Sequence, residues 1–335
     1  MPIDVGSLQF DGRLTRIAVD YKNKQFIADQ VLPPIPVPNK AGKYKVYSQA
    51  EEFLIDDALV GPNSEPNEVD YSVTEATFAC DDYALETFVS QEAIENADAP
   101  LSPLRVATEK VMRHIMRRRE RRVAQAVMNK TNYAATNQID IAGAWTTLTT
   151  DIVAQILTGI DACSAPPNVM VMDIATWRKV SRNTPLLAAA NGTLREQIIS
   201  QTRGPARTGE AASSDAVSVP QLAEFLGLDL VLIGAAQYAT SVKGQATLTK
   251  GRIWDMLTTG GAAGGGGAAL LRIATEAVGD VIWGAQMQWK PPQVMTWQEP
   301  KRGAYGSVGI KVSESSGVKV IANDAGYLFE DTLVT

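Results

Sequence analysis

Opposite charges are sorted into adjacent blocks along this chain. Residues 46 to 100 hold 14 acidic side chains and no lysine or arginine, whereas residues 105 to 122 hold eight lysines or arginines against only Glu109 and Glu120. A protein acting alone gains little from such segregation, because like charges crowded onto one element repel each other. The acidic block contains Glu51, Glu52, Asp56, Asp57, Glu68 and Asp70; the basic block contains Arg113, Arg117, Arg118, Arg119, Arg121 and Arg122. Three surroundings suit the basic block: water, the phosphates of a nucleic acid, or the acidic block of another subunit. No aromatic residues interleave the arginines for base stacking, which weakens the second. Each exposed ion pair would contribute roughly 0 to 1 kcal/mol, enough to fix register around a ring without making assembly irreversible.

The basic block predicts one long helix. Ser102 suits the N-cap, Pro103 suits the first helical position, and helix-permissive residues continue to about Lys130. Leu104, Ala107, Val111, Met112, Ile115 and Met116 recur at three- and four-residue spacing, and Val123, Ala126 and Val127 resume the stripe. Between them, Arg117 to Arg122 cover every side of the helix, so this turn has no apolar face and is expected to meet water or an acidic partner.

The acidic block predicts a long β-hairpin. Lys43 to Tyr47 and Val69 to Val73 alternate with a period near two, and Gly61 to Asn67 supplies turn residues between them. A two-stranded hairpin is marginal in water and calls for another surface to lie on. The preceding arm makes a similar demand. Pro33, Pro34, Pro36 and Pro38 hold it extended, so that Leu32, Ile35 and Val37 are expected to project toward a neighbour.

Past the basic helix the pattern turns to mixed α+β. A second amphipathic helix spans Asp151 to Cys163, and the strand Val169 to Met172 leads into a helix from Ile174 to Arg182. Ser218 caps a further helix from Val219 to Leu226 that Gly227 ends, and a strand from Leu228 to Ile233 follows. The glycines between Gly260 and Gly267 lack the GK[ST] of a phosphate loop and are read as a mobile surface loop, as is the stretch from Ile199 to Ala216. The last 60 residues are strand-rich, with Trp283, Trp289 and Trp297 among β-formers.

Several functions fall away. There is one histidine, His114, and its neighbours are mostly cationic, a setting that disfavours a protonated imidazole and supplies no orienting carboxylate. The two cysteines, Cys80 and Cys163, lie far apart, so neither a disulfide framework nor a zinc site is expected. No catalytic residue, cofactor or metal is assigned. No apolar run approaches the roughly 20 residues that span a bilayer, and the first residues lack the order of a signal peptide, so no membrane partner is expected and folding is expected in the cytoplasm.

The sequence of parts, an extended arm, an acidic hairpin, a long helix, an α+β unit and a strand-rich return, resembles the Hong Kong 97-type major capsid protein of tailed bacteriophages. PNVMVMDIATWRKVSRN (167 to 183) is similar to that family's axial-domain strand and helix, LAEFLGLDLVLIGAAQYATSVKG (222 to 244) with GRIWD (251 to 255) to the segment that follows, and KVIANDAGYLFEDTL (319 to 333) to its C-terminus. The resemblance implies an α+β capsid fold divided as follows: residues 1–40 an N-terminal arm, 41–90 the extended loop, 91–165 the spine helix and first part of the peripheral domain, 166–275 the axial domain, and 276–335 the peripheral domain's C-terminal strands. It implies a subunit that joins copies of itself in hexamers and pentamers as an icosahedral phage head. That head would enclose double-stranded DNA without reading its sequence, meet portal and scaffolding or decoration proteins, and be assembled in the host's bacterial cytoplasm. Some relatives weld their shells through a lysine in the extended loop. Residues 46 to 100 contain none, so no such cross-link is expected unless Lys43 or Lys45 substitutes. About 40 residues precede the hairpin, so scaffolding is expected from a separate protein or not at all. An encapsulin-like nanocompartment shares the implied fold, and its cargo-docking surface would more naturally begin with a helix than with a proline-rich arm. A nucleic-acid-binding protein using the basic helix is the further alternative.

Overall fold

A computed structural model describes residues 9–10, 26–47, 59, 65, 73–97, 102–189, 216–241, 247, 249–256, 265–273 and 281–333. In chain order, β1 (Gln9–Phe10) precedes a one-turn helix α1 (Ala28–Val31), β2 (Pro34–Pro36), and a ribbon of β3 (Ala41–Tyr47) and β4 (Val73–Ala79). β5 (Asp81–Ser90), α2 (Gln91–Glu95) and the long helix α3 (Pro103–Val127) follow. Next come β6 (Gln138–Asp140), α4 (Ile152–Ala162), β7 (Val169–Asp173), α5 (Ile174–Val180), α6 (Val219–Leu226) and β8 (Leu230–Gly234). The chain closes with β9 (Gln237–Ala239), β10 (Lys250–Arg252), β11 (Ala268–Leu271), β12 (Gly284–Glu299), β13 (Ser307–Val320) and β14 (Gly326–Glu330).

Two five-stranded sheets organise these elements. In the long sheet the order is β1-β12-β13-β5, and β2 adds in parallel beside β12 at Gln286 to Gln288. β12 and β13 pair from Gly284↔Val320 to Glu299↔Ser307, and the register shifts between Gln288 and Gln293. Pro291 and Pro292 fall inside that interval, where the missing N–H donors favour an irregularity over a regular ladder. In the second sheet the order is β6-β14-β11-β7-β8. Its central strands β11 and β7 are buried throughout, and Ala268 to Leu271 and Val169 to Met172 read as apolar runs because both faces are covered. Val169, Val171, Ala269, Leu271 and Leu328 face one core with the second half of α3, whereas Met170, Met172, Ala268, Leu270 and Phe329 face another with α4 and α6.

The helix α3 links the two sheets. Ser102 Oγ accepts from the Arg105 N–H at 3.4 Å and Pro103 opens the first turn, as the sequence predicts. At 1.5 Å per residue its 25 residues extend ~38 Å. Val111, Met112 and Ile115 pack on Val294, Ile310 and Val312 of the long sheet, and Val123, Ala124 and Val127 pack in the core shared with the second sheet. The polar turn from Arg117 to Arg122 is where α3 crosses from one core to the other.

Other expectations hold or shift. α6 starts at Val219 with Gln221 Oε1 accepting from Ser218 N at 2.9 Å, and it ends at Gly227 with φ +68°, where an αL residue costs glycine nothing. The hairpin base is present, but its second described arm is Val73–Ala79, paired from Tyr47↔Val73 to Ala41↔Ala79. The predicted arm at residues 69–72 lies outside the described residues, as does most of the predicted turn. The last strand extends the second sheet. β14 joins the second sheet between β6 and β11, because Tyr327, Leu328 and Phe329 are needed to complete cores on both of its faces. The glycine run is corrected. Gly265, Gly266 and Gly267 are buried, and a Cβ on Gly266 would lie 2.6 Å from Thr176 Oγ1 at φ +75°, so here glycine serves close packing. Residues 260–264 and 199–215 lie outside the described residues.

Candidate intersubunit surface

The inward side of the polar turn is closed by carboxylates from far along the chain. Arg119 is 5% exposed; its Nη1 reaches Asp29 Oδ1 at 3.0 Å and its Nη2 bonds Glu314 Oε2. Arg122 Nη2 donates to Glu314 Oε1 at 2.9 Å and to Ser316 Oγ at 3.0 Å, and its guanidinium lies 3.5 Å from the centre of the Tyr83 ring. Burial works against the Arg119 charge, but Glu314 and Asp29 outweigh it and hold its pKa above the ordinary arginine value. Arg121 stacks on Tyr238, 4.6 Å from the ring centre.

Glu120, the one acid in the run, is fully buried. Its carboxylate accepts from Ile27 N at 3.0 Å, Ala28 N at 2.8 Å and Trp254 Nε1 at 2.5 Å. Two of these are orphan donors at the start of α1, so Glu120 fastens the arm to α3. Burial raises its pKa, and the three hydrogen bonds offset part of that rise.

These contacts correct two expectations. The cationic turn does not wait for an outside partner at Arg119 or Arg122; carboxylates of the same chain neutralise both. Nor does Leu32 project toward a neighbour, since it is 0% exposed in the core with Ile27, Val31 and Val127, a burial worth ~1.5–3 kcal/mol. Val37 packs beside Cys80 and Met287 with its N–H on Gln288 O at 3.0 Å, and Ile35 alone of the three remains largely open, at 39%. Asp29, Glu120, Trp254 and Glu314 were not singled out from the sequence. A lone glutamate within an arginine run and another within a serine-rich strand are the signals that mark Glu120 and Glu314.

The outward side of α3 is different. Val106, Glu109, Lys110, Arg113, His114 and Arg117 line a shallow recess of about 320 Å³, and Val106 is 56% exposed. Arg113 and Arg118 are exposed, and Arg117 Nε is buried with no acceptor in reach among the described residues. The His114 pKa is lowered by partial burial and by the charges of Arg117, Lys110 and Arg113, in the direction the sequence predicts. Glu109, the one carboxylate lining the recess among the described residues, is held by Arg105 Nε at 2.9 Å. At the hairpin base, Lys43 bonds Glu75 at 2.7 Å and Lys40 bonds Asp82 at 2.5 Å. Glu51, Glu52, Asp56, Asp57, Glu68 and Asp70 lie outside the described residues. Among the described residues no three His, Cys, Asp or Glu side chains gather into a metal-sized group.

A long helix crossing from a long sheet to a second, doubly covered sheet, with a two-stranded ribbon at its margin, is the Hong Kong 97-type fold of capsid shell proteins. The solved structures agree. The chain superimposes on a phage-related protein from Bordetella bronchiseptica RB50 with a TM-score of 0.68 at 18% identity, covering 98% of this chain and 99% of that one. It superimposes on a putative capsid protein of an Escherichia coli CFT073 prophage with a TM-score of 0.52 at 12% identity, covering 96% and 99%. No family model matches the sequence. Curated relatives do: the major capsid protein of Pseudomonas phage JBD67 is 30% identical over 325 residues, 96% of this chain and 97% of that protein. The major capsid protein of Burkholderia phage BcepMu is 24% identical over 238 residues, 68% of this chain and 70% of that one. The chain belongs to the family of bacteriophage major capsid proteins.

Proposed function

We propose that the chain is a purely structural shell subunit. Copies of it join in hexamers and pentamers as an icosahedral phage head, assembled in the host cytoplasm around double-stranded DNA that is held without sequence recognition. A portal protein, and scaffolding or decoration proteins where the phage uses them, complete that head. Within a ring, the acidic hairpin of one copy lies against the outward face of its neighbour's α3, a heterologous contact that closes by rotation. Arg113, Arg117 and Arg118 supply the positive side, and Glu51, Glu52, Asp56, Asp57, Glu68 and Asp70 supply the negative side.

One observation carries this reading. The inward arginines of the turn pair with Asp29 and Glu314 of their own chain, although Arg119 Nε and Arg122 Nε and Nη1 are also buried without acceptors, whereas on the outward face Arg117, beside exposed Arg113 and Arg118, has a buried Nε with no acceptor and meets no carboxylate among the described residues. A buried donor without a partner costs about 1–3 kcal/mol, which an arriving carboxylate would recover. Replacing Arg113, Arg117 and Arg118 together by glutamate is expected to leave a folded subunit with unchanged circular dichroism that forms no shells in electron micrographs. Shells in wild-type yield from that variant would refute the contact.

A further inference from the structure

Strand β5 forms an open edge of the long sheet. It pairs with β13 without a break from Asp81↔Ser316 to Ser90↔Ser307, and among the described residues no strand lies along its other side. Proteins blunt such edges with a lysine, a proline or a bulge, and β5 has none of these; its charges are Asp81, Asp82 and Glu86. Toward its end the edge opens into a recess of about 640 Å³ lined by Glu86, Thr87, Phe88, Ser90, Arg302 and Ser307. The Arg302 guanidinium lies 3.7 Å from the centre of the Phe88 ring, which Trp297 holds in a T-shaped contact at 5.7 Å. A guanidinium stacked on a ring keeps its N–H fork free for a carboxylate. Glu86 is exposed opposite Lys311 of β13, and among the described residues neither Glu86 nor Arg302 forms an ion pair. On the other face of the strand Leu85, paired with buried Val312, is 46% exposed.

We propose that β5 pairs antiparallel with β5 of a second copy about a two-fold axis at Thr87, joining subunits of adjacent rings. The inference rests on the reading that the chain builds a closed icosahedral shell, in which rings meet across two-fold axes. The edge is complementary to itself, which selects a second copy as the occupant. A two-fold axis keeps each face of the strand on its own side, so some residue must stand opposite itself, and the charges decide which. Centred on Thr87, residues 84–90 pair, and each Glu86 falls opposite the other copy's Phe88, beside the Arg302 stacked there. Two carboxylate–guanidinium pairs result, Thr87 meets its twin, and each Leu85 gains Val89 as a cross-strand neighbour. Other centres are worse. Glu86 at the axis sets two carboxylates face to face, and Ala84 sets Glu86 against Asp82. Leu85 sends Arg302 to Asp82, which Lys40 already holds at 2.5 Å, and Phe88 brings the two Arg302 side chains together. The contact is isologous, unlike the heterologous one within a ring, and backbone hydrogen bonds supply its affinity while the ion pairs fix its register.

Thr87→Cys places a thiol at the axis. Oxidation of assembled shells is expected to yield covalent dimers on denaturing gels, and wild type, with Cys80 buried and Cys163 partly buried, is expected to yield none. Shells of Thr87→Cys without dimers would overturn the pairing. Arg302→Glu sets like charges opposite each other twice per contact, so the protein concentration at which rings close into shells should rise ~10-fold. Rings themselves should still form, and adding Glu86→Arg in the same chain should bring closure back toward the wild-type concentration. Closure of Arg302→Glu shells at the wild-type concentration, or a double variant no better than the single one, would overturn the proposal. So would a folded Arg302→Glu protein that no longer forms rings, since the contact would then lie within a ring. Wild-type protein that forms no shells would remove the shell reading, and this inference with it.

Discussion

The two faces of α3 carry the same residue type and put it to opposite uses. On the inward face, Arg119 and Arg122 converge on Glu314, whose side chain is 1% exposed, with Asp29 and Ser316 completing the knot. On the outward face, Arg113 and Arg118 are exposed and Arg117 is half-buried beside His114. The difference lies in what the rest of the chain brings up. Strand β13 and the arm deliver carboxylates to the inward side, whereas among the described residues Glu109 is the one carboxylate lining the outward recess, and it is tied to Arg105. Inward charge serves the fold, and the outward cations are those proposed above to meet another copy.

The largest expected effect lies inside. Glu314→Ala strands two buried guanidinium groups and should cost about 3–5 kcal/mol, read as a lower denaturation midpoint at unchanged m-value. A loss below 1 kcal/mol would show that the inward arginines, too, are met by solvent. Next comes Glu120→Gln, in which an amide N–H₂ must face one of three donors; about 1–3 kcal/mol is expected, with faster hydrogen exchange at Ile27 and Ala28. Exchange unchanged at those amides would contradict the fastening of the arm by Glu120.

A third site sharpens the contrast, because there the carboxylates outnumber the arginine. Arg252 meets Asp173 at 3.1 Å and Asp255 at 2.8 Å, and burial pushes the Asp173 carboxyl up from 3.8 to about 6. A raised folded-state pKa means the native state holds the proton more tightly than the unfolded one. The associated stability is thus full below about pH 4 and lost as the pH rises through about 6. Asp173→Asn should therefore lose less stability than wild type between pH 4.5 and 7.5, measured by thermal denaturation; equal losses would contradict the assignment. The smallest effect belongs to the outward face. Arg113→Glu and Arg118→Glu should each move subunit stability by no more than about 0.5 kcal/mol, because neither is buried. A drop of several kcal/mol would mean that these side chains belong to the fold.

Much of the architecture was legible because local signals and packing agree. The Ser102 cap with Pro103, the capping of α6 at Ser218, and the apolar run of β7 are each local chemistry that the fold retains. The order of arm, hairpin and helix supplied the resemblance. Helical periodicity could not show that a buried face may be polar. Arg119 finds its partners 90 and 195 residues away, and nothing within one turn of helix announces them. Leu32 was misjudged for the same reason: prolines beside it forbid local collapse, and its core is built by α3 and the second sheet. Composition also misled at Gly265 to Gly267, where the residues typical of a loose loop are those that let Thr176, Met256 and Leu333 come close.

The most direct test exchanges the charges of both supposed partners in one chain. Glutamate at Arg113, Arg117 and Arg118 should abolish shells. Adding lysine at Glu51, Glu52, Asp56, Asp57, Glu68 and Asp70 in the same chain should restore them, as seen by sedimentation velocity. If the first variant already sediments as complete shells, or the second remains as free subunits while folded, the outward face of α3 is not where one copy meets the next.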